Sequence, residues 1–165
     1  MIAAEAPSPE WQALSFATAR FQEIMFDLPP LFLAHWKEVA IDRDRIALEP
    51  NFRQYQALDE AGCLAIQTAR WDGDLAGYFF TLIVPHLHYQ SCLAGLTDMY
   101  YLNERARVGW GYPRFFRYVM RDLAERGVKK HWTMTKCHLN PSLGQLWERM
   151  GYRRTETVYT KILEG

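Results

Sequence analysis

Residues 104–127 read ERARVGWGYPRFFRYVMRDLAERG. From Pro113 onward the run is helical: Phe116, Val119, Met120 and Leu123 fall at i, i+3, i+4 and i+7, and Gly127 closes it. The segment before it, LAGLTDMYYL at 93–102, has strand character. Between them stand two glycines one residue apart, Gly109 and Gly111. Capping needs at most one such residue, and glycine costs backbone entropy, so the pair should have a reason, such as a tight turn or a group that must come close to bare backbone. A strand, a glycine-rich turn and a helix N-terminus together make an anion site, because first-turn N–H groups and the helix dipole favour phosphate. Pro113 suits a first helical turn, and Arg105, Arg107 and Arg114 bracket the turn with positive charge. The competing reading is a plain tight turn. A Walker loop is excluded because no Gly-Lys-Ser/Thr follows, and the dinucleotide fingerprint fails where Arg114 replaces its third glycine.

Outward from this stretch the chain reads as a mixed α/β (α+β) domain. CLAIQTARW and LAGYFFTLIV are strand runs joined by DGD, with Asp72-Gly73 the hairpin signal. KKHWTMTKC is a further strand, NPSLGQLWERMG a helix with Leu143, Leu146, Trp147 and Met150 on one face, and YRRTETVYTKIL alternates as a last strand. Upstream, LSFATARF alternates weakly as a first strand. FQEIMFDLPPLFLAHWKEVA reads as two helical pieces broken at Pro29 and Pro30, with Leu33, Trp36, Lys37 and Ala40 at helical spacing after the break. FRQYQALDEAG is a short helix ending at Gly62. The order is N-terminal helices, then ββ-β-α-β-α-β, a mixed sheet and not a doubly wound one.

The length, 165 residues, fits a flexible tail at 1–10 and one domain over 11–165. Nineteen basic residues balance nineteen acidic ones, so no bulk field directs the chain to nucleic acid or anionic membrane. Aromatic residues reach 15%, which predicts an aromatic core or pocket. Cys63, Cys92 and Cys137 fit no metal or redox spacing and read as reduced thiols. MIAAEAPSPEW lacks the basic and apolar regions of a signal peptide, so a cytoplasmic protein is expected.

TDMYYLNERARVGWG resembles the acyl-CoA-binding motif of GNAT-superfamily N-acetyltransferases, through Asp98, Tyr100, Glu104 and the paired glycines. NPSLGQLWERMGY is similar to the family's second motif, through Asn140, Gly151 and Tyr152. The element order from Cys63 to Leu163 agrees, and the chain also resembles acetyltransferases carried by bacteriophages. The resemblance implies acetyl-CoA as acyl donor and no metal. It implies the pyrophosphate on the backbone of Arg107, Val108, Gly109, Trp110, Gly111 and Tyr112, and pantetheine along the strand edge at Tyr100, Tyr101 and Leu102. Asn140 would touch the cofactor arm. The acceptor would be an amine of a small molecule or protein, with a homodimer compatible and neither nucleic acid nor membrane as partner.

Two positions depart from the family pattern. Ala106 stands where Gln or Arg usually heads the glycine motif. Trp147 stands where a tyrosine usually protonates the leaving thiolate, and an indole N–H is no useful acid. Trp147 then reads as core packing, with Tyr152, Ser142, Cys137 or a water as the acid. The base that takes the amine proton is Asp98 or Glu104, with His88 of PHLHY a third candidate. His86 and His88, two apart, would share a face if that segment were a strand, but no third metal ligand has suitable spacing. Two rivals stand beside the enzyme reading. One is a degenerate GNAT domain that binds acyl-CoA or a protein without turnover. The other is an unrelated α+β interaction domain whose glycine turn is structural.

Overall fold

The computed structural model describes residues 14–136, 138 and 142–163, in two compact units, Met1–Met134 and Thr135–Gly165. The first holds β1 (Leu14–Thr18), α1 (Phe21–Ile24), α2 (Leu28–Val39), α3 (Phe52–Glu60), β2 (Leu64–Trp71), β3 (Asp74–Pro85), β4 (Leu93–Leu102), α4 (Glu104–Arg107), α5 (Gly111–Glu125) and β5 (Val128–Trp132). The second holds α6 (Ser142–Arg149). The strands form one sheet in the order β1-β2-β3-β4-β5, antiparallel up to β4 and parallel between β4 and β5.

Helices cover both faces of the sheet, so β2 and β3 are buried almost continuously and do not alternate. On one face Phe21, Ile24, Leu28 and Phe32 pack with Leu64, Ile66, Tyr78, Phe80 and Tyr101. On the other, Phe115 and Phe116 of α5 meet Phe16, Phe79 and Tyr100. Gln67, wholly buried on β2, donates to Asp122 of α5, which also pairs with Arg126. Asp59 of α3 accepts from the Phe21 N–H and from Arg20 Nε, both at 2.9 Å, and so ties α1 to α3.

Three expectations change here. The break in the N-terminal helical region falls at residues 25–27, ahead of the prolines. Pro29 and Pro30 lie in the first turn of α2, where an N–H has no helical acceptor to lose. The buried face of α2 carries Leu28 and Phe32, and Leu33 is exposed. Residues 152–163 form no strand: nearly every side chain of the segment is exposed, and alternation without a pairing edge does not make a sheet. The hairpin at Asp72-Gly73 and the strands and helices around β2, β3, β4, α5, β5 and α6 follow the sequence pattern, with β5 shorter than its run. No helix among the described residues is long and apolar enough to cross a membrane.

Candidate active site

β4 carries the site because three irregularities meet on it. The β3–β4 register passes from Phe80↔Met99 to Thr81↔Thr97, so Asp98 is the extra residue of a β-bulge. The parallel pairing with β5 stops at Leu96↔Trp132, while β4 continues to Leu102. Among the described residues, 97–102 therefore have no strand partner on the β5 side. Two side-chain bonds lie beside this opening, Thr97 Oγ1 with His131 Nε2 at 3.0 Å and Tyr100 Oη to the Met134 carbonyl at 3.1 Å. Burial lowers the His131 pKa to about 4, which keeps the ring neutral.

At the bulge, the Tyr55 hydroxyl donates to Asp98 Oδ2 at 3.1 Å. Asp98 keeps surface in solvent, yet the protein around it raises its pKa by desolvation, while the Tyr55 hydrogen bond pulls the other way. Burial first and Asp98 second raise the Tyr55 pKa, so its proton stays on oxygen and the phenol remains a donor. Beside them, His35 Nδ1 and the buried Tyr78 hydroxyl are 2.8 Å apart, and the His35 ring stacks on Tyr101 at 5.2 Å. A cleft of about 310 Å³ opens on this face between α2, the 46–50 loop, Tyr55, Tyr78 and Met99.

At its other end β4 runs into the glycine turn. Asn103 caps α4 by accepting from the Ala106 N–H at 2.9 Å. Gly109 has φ +61°, a left-handed conformation that side chains disfavour. Gly111 has a different constraint: a Cβ there would lie 2.9 Å from the Ala106 carbonyl carbon and be driven into its oxygen. Among the described residues, the main-chain N–H bonds at this turn include Arg107 to Asn103, Gly111 to Val108 and Arg114 to Trp110.

The arginines at the turn have protein partners. Arg107 grips both Glu38 oxygens, Nη1 donating to Oε1 at 2.8 Å and Nη2 to Oε2 at 2.5 Å, and its Nε donates to the Leu102 carbonyl. Its guanidinium also lies 5.1 Å from the Tyr101 ring. Arg105 sits over Trp71 and 3.4 Å from Asp72, and Arg114 over Phe16. Anion binding at this turn would therefore rest on main-chain donors, not on Arg105 or Arg107.

The residues singled out in the sequence are distributed along β4. Tyr100 faces α5, stacked on Phe79 at 5.3 Å, while Tyr101 faces α2. Val108 and Trp110 are exposed on the turn, and the Tyr112 hydroxyl hydrogen-bonds to the main chain of Leu102. Glu104 opens α4, beyond four strand steps of about 3.3 Å from Asp98 to Leu102, so the two acids do not share one site. His88 is exposed in the turn joining β3 to β4, not on a strand, and its N–H donates to His86 Nδ1 at 3.1 Å. Trp147 is buried in the second unit, edge-on to Tyr152 at 5.0 Å, and burial raises the Tyr152 pKa. Asn140 and Cys137 lie outside the described residues. Sequence reading missed Tyr55, His35 and Glu38, whose partners lie 43 to 69 positions away. The high aromatic content was the one signal pointing to them.

This five-strand mixed sheet matches the fold of GNAT-type acetyltransferases. A ribosomal-protein-alanine N-acetyltransferase from Brucella melitensis superposes with TM-score 0.66 at 16% identity, over 92% of this chain and 100% of its own. An aminoglycoside acetyltransferase from an uncultured soil metagenomic sample gives 0.72 at 8%, over 93% and 98%. A predicted acetyltransferase from Clostridium acetobutylicum, solved with acetyl-CoA, gives 0.66 at 12%, over 90% and 96%. No family model and no curated protein matches the chain, and at these identities the likeness is one of fold.

Proposed function

We propose that the protein is an acetyl-CoA-dependent N-acetyltransferase that moves an acetyl group to a primary amine of a small molecule or protein by direct transfer. The carrying observation is β4 itself. A bulged acid stands where its free edge begins, and that edge leads to a helix N-terminus through the Gly109–Gly111 turn. The edge at Tyr100 to Leu102 suits the amides of pantetheine, and the main chain of 107–112 suits the pyrophosphate. Asn140 keeps its proposed contact with the cofactor arm.

In this reading the neutral amine attacks the thioester carbon, the C–N bond forms, and the C–S bond breaks. The amine proton passes to Asp98, directly or through water, and the thiolate takes a proton from water. Asp98 is preferred to Glu104 and His88 as base because it sits at the mouth of the opening; its raised pKa also makes it a better proton acceptor than an ordinary aspartate. Tyr55 positions it. The base works ionised, so activity should rise with pH through an Asp98 limb placed above the usual carboxylate range, and Asp98→Asn should abolish that limb. An unchanged profile in the variant would move the role elsewhere.

The direct test is thermal unfolding with acetyl-CoA, with ATP and NAD as controls. Ligand at ~100 times its Kd adds about 2.7 kcal/mol, a shift of roughly 5–10 °C in a domain of this size. A shift with acetyl-CoA alone supports the reading, and no shift at saturation removes it. Trp147, buried at the position where the resemblance would put a thiolate-protonating tyrosine, favours a second reading, acyl-CoA binding without turnover. Acetyl-CoA consumption with an amine pool separates the two.

A further inference from the structure

The cleft on the α2–α3 face has a composition that selects its ligand. Its floor is Tyr78 and Met99, and its walls include Phe32 and Trp36 from α2 and Tyr55 from α3. The rim is the 46–50 loop, where Ile46 and Leu48 stay 56% and 37% exposed although they are large and apolar. Among the described lining residues, Glu49 is the one carboxylate, and there is no lysine or arginine. The polar atoms at the inner end belong to His35, Tyr78 and Tyr55, and the Tyr55 hydroxyl points at Asp98. The cleft thus leads from an apolar mouth to the β4 bulge.

We infer that the acceptor is a monoamine carried on an aromatic or branched apolar body, seated against Phe32, Trp36 and Leu48 with its nitrogen directed to the Tyr55–Asp98 pair. This rests on the acetyl-transfer reading. A polycationic aminosugar needs several carboxylates and a ring of hydroxyl partners, and the lining offers one acid amid apolar side chains. A phosphorylated amine needs a cation, and the lining has none. A monoamine with an apolar body needs what is present: π faces for its body, one or two acids for its nitrogen, and a volume of about ten liquid waters. That volume suits one ring on a short chain. Glu49 at the rim supplies a first attraction for the ammonium form, which must lose its proton before reaction.

The experiment compares acceptors at fixed acetyl-CoA: phenethylamine and tryptamine, a three-ring aminoglycoside, glucosamine 6-phosphate and a lysine peptide. Calorimetry of phenethylamine without acetyl-CoA runs in parallel. The aryl amines should lead in kcat/KM by about 10-fold or more, and phenethylamine should bind on its own. Trp36→Ala should raise KM for phenethylamine by about 10-fold while kcat changes less. Leu48→Ser, at an exposed rim position, should do the same more weakly with folding intact. Preference for the aminosugar or the peptide would overturn the inference, and so would absence of phenethylamine binding in a protein that acetyl-CoA stabilises. If acetyl-CoA fails to bind, the transferase reading falls, and calorimetry alone decides the cleft: phenethylamine binding lost in Trp36→Ala upholds its chemistry, and no binding refutes it.

Discussion

Gly109 and Gly111 sit two positions apart, yet they should answer differently to the same substitutions. Around Gly109 a Cβ would meet open space, so alanine there faces only the left-handed backbone at φ +61°, which costs about 1–2 kcal/mol. At 2–4 °C per kcal/mol, Gly109→Ala should lower Tm by roughly 2–8 °C. Around Gly111 the obstacle is the main chain of α4. Ordinary contact starts near 3.4 Å, and the Cβ would stand 2.9 Å from the Ala106 carbonyl carbon and closer still to its oxygen. A carbonyl has no rotamer to change, so α4 and the first turn of α5 must part. The cost lies at or above the ~3 kcal/mol end of overpacking, or roughly 6–12 °C. Asparagine separates the two causes, since it tolerates the left-handed region but still carries a Cβ. Gly109→Asn should recover much of the loss seen in Gly109→Ala, and Gly111→Asn should be no better than Gly111→Ala. Differential scanning calorimetry on the four variants reads this out. A Gly111→Ala protein as stable as the parent, or rescue by asparagine at 111 and not at 109, would refute the reasoning. The contrast also shows why a charged residue at 111 is a poor probe of phosphate binding: any side chain there deforms the turn first.

Two further outcomes are expected. His131 accepts its proton near pH 6.5 when unfolded and only near about 4 in the folded chain, so stability present above 6.5 should fall by up to about 3 kcal/mol on acidification to pH 4. Urea unfolding at pH 7, 5 and 4 should show that loss, and His131→Asn should flatten it; an equal slope in the variant would assign the loss to other groups. The Glu38–Arg107 pair is partly exposed, so a double-mutant cycle of Glu38→Gln with Arg107→Met should give a coupling of about 1 kcal/mol. A coupling of zero would mean that the pair contributes nothing to stability.

What was legible in the sequence was local. The Asp72-Gly73 hairpin and the i, i+3, i+4, i+7 face of α5 depend on neighbours within one turn or strand, and both form as read. The glycine pair stood out as a tight turn or a close approach to bare backbone, but what crowds Gly111 is a carbonyl five residues upstream, which spacing does not encode. Residues 152–163 show the limit of periodicity: the alternation is present and no paired edge receives it. The site was legible in part. Asp98 stood out through its motif, but the bulge that singles it out is a property of register, and its partner Tyr55 comes from α3. The 310 Å³ cleft, assembled from five elements and loops, had no signature beyond an excess of aromatic residues.

Helix α2 belongs to both ends of this arrangement. Phe32, His35, Trp36 and Val39 line the cleft, while Glu38, on the intervening surface, holds Arg107 and through it the Leu102 carbonyl and the turn. Two ligands seated at those ends would therefore share one lever. Any change of affinity that the first produces in the second must be returned in equal measure when the order is reversed. A preferred order of addition would then report how fast each seat is reached, and the size of the mutual effect would report how stiffly twelve residues of helix transmit a push.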